Sequence, residues 1–203
     1  MDYLAFSLVM LLGQFSPGPD MLLLMRNALS LPLRTALCTV LGIATGLAIH
    51  TALALGGVSL LLRNSPGATR ALGIAGGLYL GWLAFRLLRS AWSSSAARPS
   101  HGTAATSPRT AFLQGFLTNL LNPKAVIFLA SVLAAMLGPE PSTSRKLAFW
   151  AIVIGQALVF WSLFVRLLQI QPVRMAYLAA ERWWNAAFGL ALAAVAVRAL
   201  AGF

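Results

Sequence analysis

Two charges stand inside apolar sequence, each directly after a proline. Asp20 closes the run Gln14-Phe15-Ser16-Pro17-Gly18-Pro19-Asp20, and Lys124 closes Asn119-Leu120-Leu121-Asn122-Pro123-Lys124. Asp20 is the one carboxylate placed within a hydrophobic segment, since Asp2, Glu140 and Glu181 fall at ends or in connections, and Lys124 is the one lysine so placed. A carboxylate can receive an ammonium or a proton, and an ammonium can meet a carboxylate. A charge inside a bilayer costs about 2.5–3.5 kcal/mol on insertion scales, and a proline removes a helical hydrogen bond and breaks the preceding turn. A chain that bears both costs twice, at matching places, points to a polar site between its halves. Proline frees backbone carbonyls that can hold an ammonium, half-helix N-termini favour a carboxylate, and Gly18 permits close approach. The blander alternatives are a structural ion pair, a mere kink, or Asp20 reaching for the polar end near Arg26.

On this reading the substrate-binding candidates are Gln14, Ser16, Pro17, Gly18, Pro19, Asp20, Asn119, Asn122, Pro123 and Lys124. Gln114 and Gln156 lie farther from the breaks and read equally well as interhelical glue. His50 follows Gly42-Ile43-Ala44-Thr45-Gly46 deep in an apolar run. Histidine as a residue type changes charge near neutral pH, so Asp20 and His50 are the coupling candidates, with a neutral, hydrogen-bonded His50 as the alternative. No second His, Cys or carboxylate stands at ligand spacing for a metal, and Cys38 is alone. No nucleophile has an evident base. The chain therefore reads as a non-enzyme with no cofactor.

The elements that must carry these residues are membrane spans. Hydrophobic residues make up 59% of the chain and charged residues 9%, with a mean hydropathy of +0.81; soluble domains are about 25% charged. Six segments reach the roughly 20 apolar residues a span needs: 4–25, 37–62, 71–89, 111–137, 147–168 and 184–201. The fold expected is an all-α integral membrane protein of six transmembrane helices, with helices 1 and 4 broken at the proline motifs. The first segment lacks a basic n-region and a cleavage site and reads as a retained span. Residues 93–110, rich in Ser, Ala and Pro, read as a flexible loop dividing two halves, 1–92 and 111–203. The halves resemble each other. Ala111-Phe112 through Lys124 echoes Ala5-Phe6 through Asp20; Gly77 precedes Arg86, and Gly189 precedes Arg198, by the same nine positions. Gly46 and Gly155 sit at similar depth in the second and fifth segments. A duplicated unit of three spans places its second copy upside down, as two inverted three-helix repeats in one transporter domain.

Lys and Arg on alternate sides count nine, including Arg26, Arg98 and Arg174, against five, including Arg63 and Arg145. The richer side should be cytoplasmic, which puts the 93–110 loop inside and both termini outside. The net charge of +11 fits this flank anchoring better than nucleic-acid binding, for which no basic face or aromatic platform is present. Gly42/Gly46 and Gly73/Gly77/Gly81 form small-residue rows that let helices pack closely, within one subunit or across a homodimer. The six tryptophans lie mostly at span ends, with Trp161 deeper.

The chain resembles the LysE/RhtB family of amino-acid exporters. The likeness rests on Ser16-Pro17-Gly18-Pro19-Asp20, on Gly42 through His50, on Gly76-Gly77-Leu78-Tyr79-Leu80-Gly81-Trp82, and on Phe112 through Ala125 with its Asn122-Pro123-Lys124. The resemblance implies a multi-pass protein of the bacterial inner membrane, often a dimer. It also implies proton-coupled export of a small amino acid from the cytoplasm: basic, or of the threonine, homoserine, leucine or cysteine type. Many relatives follow the second motif with an aromatic pair and Pro-Gln-Phe, where this chain runs Phe128 through Leu137. Export of a metal cation, a cation site wanting several oxygen or imidazole ligands, and a structural role are the competing readings.

Overall fold

The computed structural model describes residues 3–16, 18–64, 66–92, 106–138 and 140–201. Among these residues the chain is helical throughout, with no strand: α1 (Tyr3–Phe15), α2 (Pro19–Ser30), α3 (Leu33–Asn64), α4 (Pro66–Trp92), α5 (Pro108–Leu120), α6 (Pro123–Met136), α7 (Thr143–Leu168), α8 (Gln171–Ala179) and α9 (Glu181–Ala201). Two helices are long and apolar enough to cross a membrane, Leu33–Gly57 within α3 and Thr143–Leu168. Each of two bent pairs, taken as one span, raises that number to four. Among the described residues this is the all-helical build of an integral membrane protein. Its outward faces carry bare Leu53, Leu78, Phe85, Val159 and Leu190, which lipid solvates as readily as a protein core does.

The expected breaks in the first and fourth segments are present. α1 and α2 meet at 66°, and α5 and the helix after it meet at 54°. Each second half begins on a proline, Pro19 or Pro123. A proline at that position loses nothing, because the first helical N–H groups have no intrahelical acceptor.

Two boundaries differ from expectation. The 93–110 loop ends early, because Ser107 accepts from the Thr110 N–H at 3.1 Å and Pro108 opens α5. Residues 93–105 lie outside the described residues. The connection around Gln171 and Pro172 is itself a helix, α8, with proline again in its first turn.

Glycine sets how closely the helices approach. On α3, a Cβ at Gly42 would overlap the Phe112 carbonyl and the Phe116 N–H of α5, and a Cβ at Gly115 of α5 would overlap the Thr39 carbonyl of α3. Residue numbers rise together along this contact, so α3 and α5 run parallel, backbone against backbone. α4 and α9 run antiparallel. A Cβ at Gly77 would press on Leu200, with the Ala196 carbonyl near, and a Cβ at Gly189 would press on Leu88, with the Ala84 carbonyl near. α1 leans on α7 through rings instead: Phe6 stacks on Phe149 at 4.0 Å and Phe15 meets Phe164 edge-on at 5.7 Å. Phe6, Met10, Leu24, Ile43, Leu129, Leu133, Val153 and Trp161 fill the centre, and the two breaks face each other across it.

Candidate functional site

α2 begins at the first break with Gly18 extended (φ 177°, ψ 180°) and no side chain capping it. Asp20 therefore stands in the first turn of α2, where the positive end of the helix dipole favours an anion. At the second break the chain caps itself. The Asn122 side-chain oxygen accepts from the Lys124 N–H at 3.0 Å, and the Asn122 carbonyl accepts from the Ala125 N–H at 3.1 Å. Lys124 stands in the first turn of α6, where the dipole disfavours a cation.

Each charge is held by the opposite break. Asp20 Oδ2 accepts from Asn119 Nδ2 at 2.9 Å and from Asn122 Nδ2 at 3.0 Å. Lys124 Nζ donates to the Ser16 carbonyl at 2.7 Å, just past the end of α1, where the dipole is negative. The unfavourable cation of one half-helix thus sits at the favourable end of another. Ser16 is pinned in turn, its hydroxyl donating to the Gly13 carbonyl at 2.6 Å.

The two breaks line a partly open pocket whose roughly 450 Å³ of empty space includes open solvent. Gln14, Ser16, Gly18, Asp20, Asn119, Asn122 and Lys124 all line it. Of the remaining candidates, Pro19 is exposed at the start of α2 and does not line the pocket. Pro123 opens α6, and its side chain lies outside the description. Pro17 lies outside the described residues. His50 stands one residue removed, its Nε2 3.2 Å from the Asn119 carbonyl. Gln156 bonds Ser7 at 2.9 Å, and Gln114 faces Asn27 at 3.5 Å, so both act between helices.

Sequence reasoning missed the walls: Met10, Gly13, Met21, Leu47, Ala125, Phe128, Leu129 and Trp161. Leu- and Ala-rich spans give no periodic signal by which such residues could be chosen. Trp161 carried a hint, as the tryptophan expected to sit deeper than the others. It is 2% exposed, whereas Trp82, Trp92 and Trp183 are open at the periphery. Asn27, buried on α2 and bonded to Thr39 at 2.8 Å, was also unmarked.

This geometry offers one carboxylate and one ammonium across a small cleft between two half-helices. Residues 11–202 match the LysE type translocator family. The chain belongs to that family. It is 29% identical over 184 residues to the threonine efflux protein of Escherichia coli K12, covering 90% of this chain and 89% of the relative. It is 30% identical over 185 residues to the threonine efflux protein of Salmonella typhimurium, with coverage of 90% and 89%. It is 31% identical over 139 residues to the homoserine/homoserine lactone efflux protein of Salmonella typhimurium, covering 68% of this chain and 66% of the relative. No solved structure matches. As a LysE-type translocator the protein moves small molecules through a membrane, and the relatives just given are named for efflux of threonine and of homoserine or its lactone.

Proposed function

We propose that this translocator exports a small amino acid from the cytoplasm across the bacterial inner membrane. The observation that carries the reading is the pocket between the breaks, which presents Asp20 and Lys124 to the same space. A zwitterion needs an anion for its ammonium and a cation for its carboxylate, and this pocket holds one of each. The relatives named for threonine and homoserine efflux support a small neutral or hydroxylated substrate over a basic one.

Asp20 receives the α-ammonium or exchanges it for a proton, and Lys124 draws the carboxylate. Gln14, Ser16, Gly18, Asn119 and Asn122 shape the cleft around them, and His50, against the Asn119 carbonyl, is the second coupling candidate. An inward proton supplies about 2.3 kcal/mol per 100 mV of membrane potential. Transport proceeds by alternating access of two inverted three-helix repeats, with α4 and α9 as the third and sixth spans. Their reciprocal contact favours this arrangement: Gly77, Ala84 and Leu88 each correspond to a residue 112 positions later, Gly189, Ala196 and Leu200. Such exchange of equivalent contacts is what a two-fold axis produces. The 93–110 loop then lies in the cytoplasm, with both termini outside.

The test is efflux of an amino-acid panel from cells loaded with dipeptides, comparing a deletion strain, wild type and Asp20→Asn. Faster efflux of one or two amino acids with wild type, lost in Asp20→Asn, is the expected result. Equal efflux from all three strains for every amino acid would reject the reading in favour of another solute or a structural role.

A further inference from the structure

Several polar side chains lining the pocket have a hydrogen-bonding atom to spare. Gln14, 8% exposed, donates Nε2 to the Val153 carbonyl at 3.1 Å, which leaves its Oε1 buried with no partner among the described residues. Asp20 spends Oδ2 on both asparagines, and its Oδ1 is likewise buried and unpartnered. The Asn119 side-chain oxygen is also left over, but a Cβ on Gly46 would meet it at 2.8 Å. That oxygen therefore belongs to the packing of α5 on α3. The fourth atom is of the opposite kind. Trp161 Nε1 is buried with no partner among the described residues, and an indole N–H can only donate.

The two spare acceptors, on Gln14 and Asp20, suit an ammonium. The spare donor suits an oxygen, and its placement says which one. Both charged side chains of the pocket stand at the breaks, on α2 and α6, whereas Trp161 is the residue α7 contributes. Beyond the breaks and Gln14 of α1, the walls include the apolar Met10, Phe128 and Leu129. A phenylalanine would fill the same wall without burying an unmet donor, which proteins avoid. A substrate whose charged end sits between Asp20 and Lys124 turns its side chain to the wall where Trp161 stands.

We propose that Trp161 reads the substrate side chain by donating its indole N–H to an oxygen there, so that the pocket selects hydroxylated neutral amino acids. This rests on the exporter reading above. A site built to bond a hydroxyl rejects the analogue that lacks it, because its own polar group is then left unpaired. Valine and norvaline are the controls, since each replaces the hydroxyl of threonine or homoserine by a methyl group.

The experiment measures efflux of threonine, valine, homoserine and norvaline from loaded cells carrying wild type, Trp161→Phe or the deletion, with transporter abundance in the membrane measured alongside. Wild type is expected to prefer each hydroxylated member by about tenfold or more. Trp161→Phe should bring both ratios to within about twofold of one. A wild-type ratio near one overturns the proposal whether or not the variant accumulates. Trp161→Phe slowing threonine and valine alike also overturns it, since the N–H would then serve the carboxylate common to both. Efflux no different between wild type and deletion for all four would remove the exporter reading itself, and this inference with it.

Discussion

The two broken helices share a design yet are held by different means. The second is clamped. Its first half, α5, lies backbone to backbone on α3 at Gly42 and Gly115, and Asn122 closes its second half with side chain and carbonyl together. The first is propped. α1 rests on α7 through Phe6, Phe15, Phe149 and Phe164, and Gly18 leaves α2 without a side-chain cap. Even the glycines at matching depth diverge: Gly46 lies against Asn119, whereas Gly155 faces open space. Backbone contact tolerates almost no displacement, because a packed interior is close to crystal density. Rings can slide. On the proposed alternating access, the clamped break is the reference for the propped one, and the bonds from Asp20 and Lys124 across the gap are what a moving half must make and release.

The largest expected effect falls on that exchange. A hydrogen bond to a charged group is worth about 1.5–3 kcal/mol, and Asp20 is the proposed partner of the substrate ammonium, so Asp20→Asn should slow export by about 100-fold or more at unchanged abundance. The carboxamide fills the same space and can still accept from Asn119 and Asn122, which keeps the fold while deleting the charge. Export within about twofold of wild type would mean that the crossing bonds only tie helices together.

Next comes the clamp. Gly42→Ala puts a methyl group into the Phe112 carbonyl, which cannot swing aside as a side chain can. Overpacking of this kind costs about 1–3 kcal/mol or more, and each kcal/mol lowers the melting temperature of a chain this size by about 2–4 °C. A fall of about 5–10 °C in detergent is expected for Gly42→Ala. Gly155→Ala should instead hold or raise the melting temperature, because the added methyl meets nothing within 4 Å and alanine favours a helix by about 1 kcal/mol. Equal losses from the two substitutions would erase the distinction between clamp and prop.

How much of this was legible beforehand follows the range of the interactions involved. Prolines, lone charges and small-residue rows act within a few positions, and both breaks, with the glycine faces of α3 and α4, were readable from them. The partners were not. Nothing near Asp20 names Asn119 or Asn122, 99 and 102 positions away, and nothing near Lys124 names the Ser16 carbonyl. Asn122 was picked out as a substrate-binding candidate, but its side-chain bonds to the Lys124 N–H and to Asp20 were not legible. Trp161 was visible only as a tryptophan out of place. Such pairings belong to the packing of spans whose Leu and Ala residues carry almost no record of which face turns inward.

Lys124→Met should slow export by about tenfold, less than the change at Asp20, and lower the melting temperature by only several degrees. The lost bond to the Ser16 carbonyl, worth about 1.5–3 kcal/mol for a charged donor, is offset in part because a cation at a helix N-terminus costs about 0.3–1 kcal/mol. A melting temperature lower by about 10 °C or more would make Lys124 chiefly a structural tie.

The smallest effect, and the sharpest test of which break moves, belongs to Gly18→Ala. Gly18 has an extended backbone that any residue adopts, so alanine brings no strain of its own. Its Cβ would meet Lys124 Cδ and Nζ, each at 3.0 Å. These are the far atoms of a flexible side chain, which can give by a few tenths of an ångström, so the melting temperature should shift by no more than about 2 °C. The displaced ammonium must then reach the Ser16 carbonyl at a poorer angle, and export should fall by about twofold to fivefold. A large loss of stability would mean that the first break is as tightly fitted as the second. The proposed motion between inward and outward states would then lie in α4 and α9, whose Gly77 and Gly189 meet leucine side chains more closely than the Ala196 and Ala84 carbonyls, and not in the half-helices around the pocket.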